Sequence, residues 1–196
     1  MDESKAKADL QRYLRSARDA LVWKLEGLGE YDARRPHTAT GSNLLGLLKH
    51  AAGVELDYFG QVFGRPCPDA PAWVGAEGEP NHDMWATAEE SRADILALAH
   101  TAWAHADATI AALPLDAVGR VPWWAEARRE VTLHQILVHV IADLQRHAGH
   151  ADILREGIDG AAGLQAGNDN LPPVDADWWA AYRERLERVA REAEAR

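Results

Sequence analysis

The sequence predicts an all-α protein, four long helices bundled around one core, with long crossovers and a further C-terminal helix. Three observations predict it. Apolar residues recur at three- and four-residue spacing in four segments. No segment carries a convincing strand pattern. Long Gly- and Pro-containing stretches separate the helical segments. A chain of 196 residues suits one domain, 1–196. Its core is expected over about 5–157 and a C-terminal extension over about 158–196.

The first helix is expected over about 5–28, with Leu10, Tyr13, Leu14, Ala17, Leu21, Leu25 and Leu28 as its apolar stripe. The second runs from about 43 to 63 with Ser42 as N-cap and Leu44, Leu48, Ala51, Val54 and Phe59 facing inward. The third follows Thr87, which pairs with Glu90 as a capping box. It continues through Ile95, Leu98, Ala102, Trp103 and Ile110 until Leu113-Pro114 stops it. The fourth follows Thr132, which forms a second capping box with Gln135, and ends at Gly157 as a C′ residue. A last helix spans about 177–195. The crossover "GRPCPDAPAWVGAEGEPNHD", 64–83, is a long loop of the kind that often carries function.

Composition removes several function classes. A net charge of −10 argues against nucleic acid as a partner and against docking on an anionic membrane. No apolar run approaches the roughly 20 residues of a membrane span. The N-terminal segment lacks the apolar region of a secretory signal, so a cytoplasmic protein is expected. The one cysteine, Cys67, excludes an internal disulfide and an all-cysteine zinc site. Cys67 lies in a Pro-rich loop and reads as incidental to chemistry.

The chemistry concentrates in "VHVIADLQRHAGHADILRE". On a helix turning about 100° per residue, His147 lies near +40°, His139 near −40° and His150 near −20° of Asp143. His134 points the opposite way. Ile136 and Leu154 share the stripe, so these metal-capable groups are expected to face the core. A buried carboxylate there needs a partner or a cation. The bland alternative pairs Asp143 with Arg146 or Arg155 and leaves the histidines hydrogen-bonded in the core. A metal needs a further ligand from another helix, as bundle sites are built. His50 in "NLLGLLKHAAGVELDYF" is the strongest candidate, because Leu47, Leu48, Ala51 and Val54 surround it. His37, His82, His100 and His105 are rivals.

Those two segments, in that order and with "VPWW" between them, resemble the DinB/YfiT-like metalloenzyme superfamily. More narrowly they resemble its actinobacterial mini-circle-protein-like branch, related to mycothiol-dependent maleylpyruvate isomerase. The resemblance covers most of residues 5–165. It implies a four-helix bundle with long crossovers and a divalent metal held by His50, Asp143 and His147. Asp143 stands where this branch is expected to carry glutamate. Being one methylene shorter, it reaches a metal if helix four lies closer, or through a water. His150 in place of Asp143 gives the second-ranked set.

Two imidazoles and one carboxylate leave a divalent ion open positions, a catalytic rather than a structural pattern. Zinc is the first expectation, and nickel and iron(II) also suit the set. A thiol bound to such an ion is deprotonated and nucleophilic. The resemblance implies activation of a low-molecular-weight thiol, mycothiol ahead of bacillithiol, for S-transfer to or isomerisation of a small-molecule substrate. Tyr58, Trp123, Trp124 and Arg146 are expected to line the cofactor pocket, with Trp73 in the long loop as a further wall. Two other readings compete. One is a non-enzymatic metal-binding bundle that holds a small ligand or a partner. The other is a metal-dependent hydrolase, for which Glu55 or Asp57 would be the base. The aromatic start of the last helix suits docking on the bundle or on a second copy in a homodimer.

Overall fold

The computed structural model describes residues 2–75 and 79–195; residues 76–78 of the long loop lie outside them. Its helices are α1 (Glu3–Trp23), the short α2 (Glu30–Arg34), α3 (Leu44–Phe59), α4 (Arg92–Ala112), α5 (Leu133–Asp159) and α6 (Ala176–Glu194). A two-stranded antiparallel hairpin, β1 (Val118–Arg120) and β2 (Glu130–Thr132), joins α4 to α5, with Gly119 opposite Val131. Among the described residues the protein is all-α apart from this hairpin and an isolated bridge between Gln165 and Asn168. Among the described residues no helix is long and apolar enough to cross a membrane.

The core lies between α1, α3, α4 and α5. Helix α3 packs on α1, α2, α4 and α5, and α1 packs on α5. Because α3 has neighbours on nearly every side, most of it is buried, including Lys49 and Glu55. Both charges are paired, as burial demands. Lys49 Nζ meets Glu90 at 2.9 Å. Arg18 donates from Nε to Glu55 at 2.8 Å and also meets Asp107 at 3.0 Å. Glu55 is therefore locked to α1 by the Arg18 guanidinium, which corrects its reading as a candidate base.

Helix boundaries differ from expectation for local reasons. Helix α1 stops at Trp23 rather than about 28. The carbonyls just beyond its end are taken by Arg155 of α5, whose Nη1 donates to Lys24 O at 3.0 Å and Glu26 O at 2.8 Å. The Arg155 guanidinium also pairs with Asp159, so it is not a partner of Asp143. Tyr13 stands exposed beside Arg12 and leaves the α1 stripe. Helix α3 takes Asn43, not Ser42, as N-cap; the Asn43 side chain accepts from Gly46 N–H at 2.7 Å. The α3 pattern ends at Phe59, and 61–63 form a 3-10 turn.

Helix α4 begins after a Ser91/Asp94 capping box, four residues beyond the expected one. Thr87 N–H does donate to the Glu90 carboxylate at 2.7 Å. The carbonyls that a helix here would need are taken instead by Arg34, at 2.9 Å to Thr87 O and 2.7 Å to Glu90 O. The buried stripe of α4 is Ile95, Ala99, Ala102, Ala106 and Ile110, with Leu98 and Trp103 only partly buried at its flank. Small residues allow close approach to α3.

Thr132 caps α5 by accepting from Gln135 N–H at 3.2 Å, one half of the expected capping box. The helix passes Gly157 and ends at Asp159, with Gly160 at φ 77° as the residue that turns the chain away. The two extra residues supply Asp159 to Arg155. Helix α6 contributes no buried residue.

Candidate metal centre

The α3/α5 seam brings His50, Asp143 and His147 together. Among the described residues they form a group whose ligand atoms all lie within 4.8 Å of one another. Asp143 Oδ2 is 3.7 Å from His50 Nε2, and Asp143 Oδ1 is 3.7 Å from His147 Nε2. The two imidazoles meet edge-on with centroids 4.7 Å apart. All three side chains are partly exposed, Asp143 at 32%. The sequence pattern alone implied deeper burial for Asp143.

The donor set fits a divalent cation. Asp143 Oδ2 and His147 Nδ1 are buried atoms that find no hydrogen-bond partner among the described residues. Such unmet groups are costly unless something supplies them. Donors on one tetrahedral ion sit roughly 3.4 Å apart, given bonds of about 2.1 Å. The two 3.7 Å separations need only small side-chain movement to reach that.

One residue of the site had no sequence signal of its own. Asp83, in the long loop, bonds His50 Nδ1 through Oδ2 at 2.7 Å. This fixes Nδ1 as the protonated nitrogen and turns Nε2 toward Asp143, the carboxylate–imidazole pairing that orients metal-ligating histidines. The loop is held for this along α3. Asn43 Nδ2 donates to Met84 O at 3.1 Å, and Lys49 Nζ to Trp85 O at 3.1 Å. Gly46 makes the crossing possible, because a Cβ there would lie 1.8 Å from Met84 O.

The electrostatics follow from this packing. Burial works against charge on His50, but the carboxylates of Asp143 and Asp83 outweigh it and raise its pKa to about 9. At 3.7 Å Asp143 is an ion-pair partner, whereas Asp83 at 2.7 Å is hydrogen-bonded. Burial and the neighbouring His50 charge push His147 down. The His50 hydrogen bond lowers Asp83. Asp143 is held below its ordinary value because the histidine charges outweigh its burial.

A cleft of about 490 Å³ opens beside His50, lined by Val54, Asp57, Trp73, Asp83 and Trp123 among others. The Trp73 ring covers Gly53, where a Cβ would meet it at 2.9 Å. Asp57 has its pKa raised to about 6 by burial and by the Asp83 charge. One turn beyond Asp143, His139 Nε2 lies 3.1 Å from the Tyr58 hydroxyl. Trp123 and Trp124 donate their indole N–H groups to the same hydroxyl at 3.4 and 3.2 Å. Tyr58, Trp123 and Trp124 thus form one cluster with His139, and Trp123 reaches the cleft.

The other expected residues lie apart. Arg146 is exposed, and among the described residues it forms no ion pair with Asp143. His150 is exposed, with its ring edge-on to His147 at 5.5 Å. His134 is exposed, as its helix angle predicts. His37, His82 and His105 bond backbone carbonyls, and His100 packs on Trp103. Cys67 lines a separate cavity with Pro66, Pro71 and Leu56.

A family model described as mycothiol-S-transferase matches residues 9–160. No curated protein matches the chain.

Proposed function

The chain belongs to the mycothiol-S-transferase family, and on that premise we propose that it transfers the sulfur of mycothiol to a small electrophile with the help of a divalent cation. Family membership implies the mycothiol-related S-transfer. The cation is our reading of His50, Asp143 and His147, with zinc first and nickel or iron(II) as other occupants. The observation that carries it is the meeting of His50, Asp143 and His147 with ligand atoms within 4.8 Å of one another, together with Asp143 Oδ2, buried and without a hydrogen-bond partner among the described residues.

A bound divalent ion would lower the pKa of a coordinated thiol and so supply thiolate at neutral pH. The residues of the chain do the remainder. Asp83 keeps the His50 proton on Nδ1. Asp143 offsets cationic charge at the site. Trp73 and Trp123 wall the cleft, and water is displaced there when a ligand enters. In this reading Arg146, exposed one residue before His147, would meet an anionic part of the ligand.

The test is metal analysis of protein purified without chelator, combined with mycothiol conjugation to monobromobimane. About one metal per chain and metal-dependent conjugation are expected, and both should vanish in His147→Ala. A second reading, a metal-dependent hydrolase, is favoured by one observation, the raised pKa of Asp57 at the cleft. Ester hydrolysis without any thiol, lost in Asp57→Asn, would select it.

A further inference from the structure

Three hydrogen bonds meet on the Tyr58 hydroxyl, and their chemistry assigns its proton. An indole N–H only donates, and a phenol oxygen has two acceptor sites and one proton. Trp123 and Trp124 therefore occupy both acceptor sites. The Tyr58 proton points to His139 Nε2 at 3.1 Å, which makes His139 the Nδ1–H tautomer. The indole N–H groups are donors aimed at the oxygen on which negative charge develops as a proton is given away. Tyr58 is 8% exposed, so those donors act away from bulk water.

The position of this cluster gives it a use. His50, Val54 and Tyr58 lie on successive turns of α3, and His139, Asp143 and His147 on successive turns of α5. His139 is one turn, about 6 Å of rise, from Asp143. The cleft runs from Asp83, bonded to His50, to Trp123, bonded to Tyr58. A ligand filling it touches both ends. The 3.4 Å bond from Trp123 is the longest of the three, and Trp123 is 47% exposed. When Trp123 gives way, a substrate oxygen in its place is an acceptor, and the Tyr58 O–H turns from His139 to meet it.

Building on the S-transfer reading above, we propose that Tyr58 is the proton donor of the reaction and that the electrophile is one whose leaving atom is oxygen, an epoxide in the first place. The thiolate sulfur arrives from the His50 end and bonds to an epoxide carbon. The carbon–oxygen bond breaks with its electron pair on oxygen, and that oxygen takes the Tyr58 proton. The Tyr58 oxygen, held by the Trp124 N–H, regains a proton from water, which received the thiol proton when the thiolate formed. Thiol and epoxide give a β-hydroxy thioether, with no other reactant consumed.

The experiment compares wild type and Tyr58→Phe, both metal-loaded, with mycothiol and two electrophiles. Styrene oxide needs its oxygen protonated; monobromobimane releases bromide and needs no proton. Epoxide opening should fall about 100-fold in Tyr58→Phe. That loss should exceed any loss with bromobimane by about tenfold or more, with metal content unchanged. Nitrogen-15 spectra of metal-free wild type provide a readout independent of turnover, and should show His139 protonated on Nδ1 and bare on Nε2. A His139 protonated on Nε2 overturns the proposal, as do equal losses with the two electrophiles. Wild type that transfers to bromobimane but not to the epoxide overturns the substrate class and leaves S-transfer standing. Transfer to neither overturns both.

Discussion

Asp83 bonds His50 Nδ1 at 2.7 Å across 33 residues of chain and so aims Nε2 at Asp143. His50 on α3 is oriented by a loop and not by the neighbouring helices. The proposed metal site would therefore link metal affinity to loop placement, because the segment holding Asp83 is itself tied to α3 through Asn43 and Lys49.

Asp83→Ala should weaken metal binding about 10- to 100-fold, the usual effect of removing the group that orients a ligating histidine. Competition against a chromophoric chelator measures this. Unchanged affinity would mean that the His50 orientation is set elsewhere.

His50→Ala and His147→Ala should each abolish binding of zinc at micromolar concentration, and Asp143→Asn should weaken it. His150→Ala should change it little, since that side chain is exposed and outside the group. Metal stoichiometry after dialysis is the measurement. Binding that survives Asp143→Ala but not His150→Ala would select the second-ranked ligand set.

Metal-free protein should lose stability as pH rises from about 6.5 to about 9. Burial opposes charge on His50, but Asp143 and Asp83 prevail and raise its pKa to about 9, above the ordinary 6.5. A pKa raised by folding contributes fully below the unfolded value and is lost as pH rises through the folded one. Thermal melts of chelator-treated protein across this window check the sign. His50→Gln should flatten the slope, and a melting temperature that climbs with pH in wild type would contradict the assignment.

Arg18→Met should destabilise the protein by about 3–5 kcal/mol, because it leaves the fully buried Glu55 without its counter-charge. Urea denaturation gives the value. The double variant Arg18→Met/Glu55→Met should recover much of the loss, which separates an uncompensated charge from lost packing.

Truncation after Pro173 removes α6 and should leave stability within about 0.5 kcal/mol and metal affinity unchanged, since no residue of that helix is buried. A large loss, or a change in oligomeric state, would assign α6 a packing partner on a second copy.

The sequence alone carried the helices and one face of the site. Apolar spacing located α1, α3, α4, α5 and α6, because burial on a helix imposes a period that the chain displays directly. The same period put His139, Asp143 and His147 on one stripe of α5, and His50 among the apolar residues of α3. Helix ends were less legible. Thr87 and Ser91 both head a capping-box pattern, and only the distant Arg34, by taking the carbonyls of Thr87 and Glu90, decides between them. The hairpin was invisible because strands of three residues have too few positions to show alternation.

What tertiary structure alone decided is which groups from separate segments meet. Asp83 had no periodicity to mark it, being one acid in a loop of several, and it matters only because Asn43 and Lys49 hold that loop on α3. Glu55 and Asp57 looked equivalent as bases. Packing gives the first to Arg18 and opens the second to the cleft. Tyr58, His139, Trp123 and Trp124 come from three elements, and hydrogen bonding joins them at one oxygen. Local spacing constrains neighbours within a few turns of a helix. Contacts across the seam depend on how helices and loops are placed against each other, and no short stretch of sequence encodes that placement.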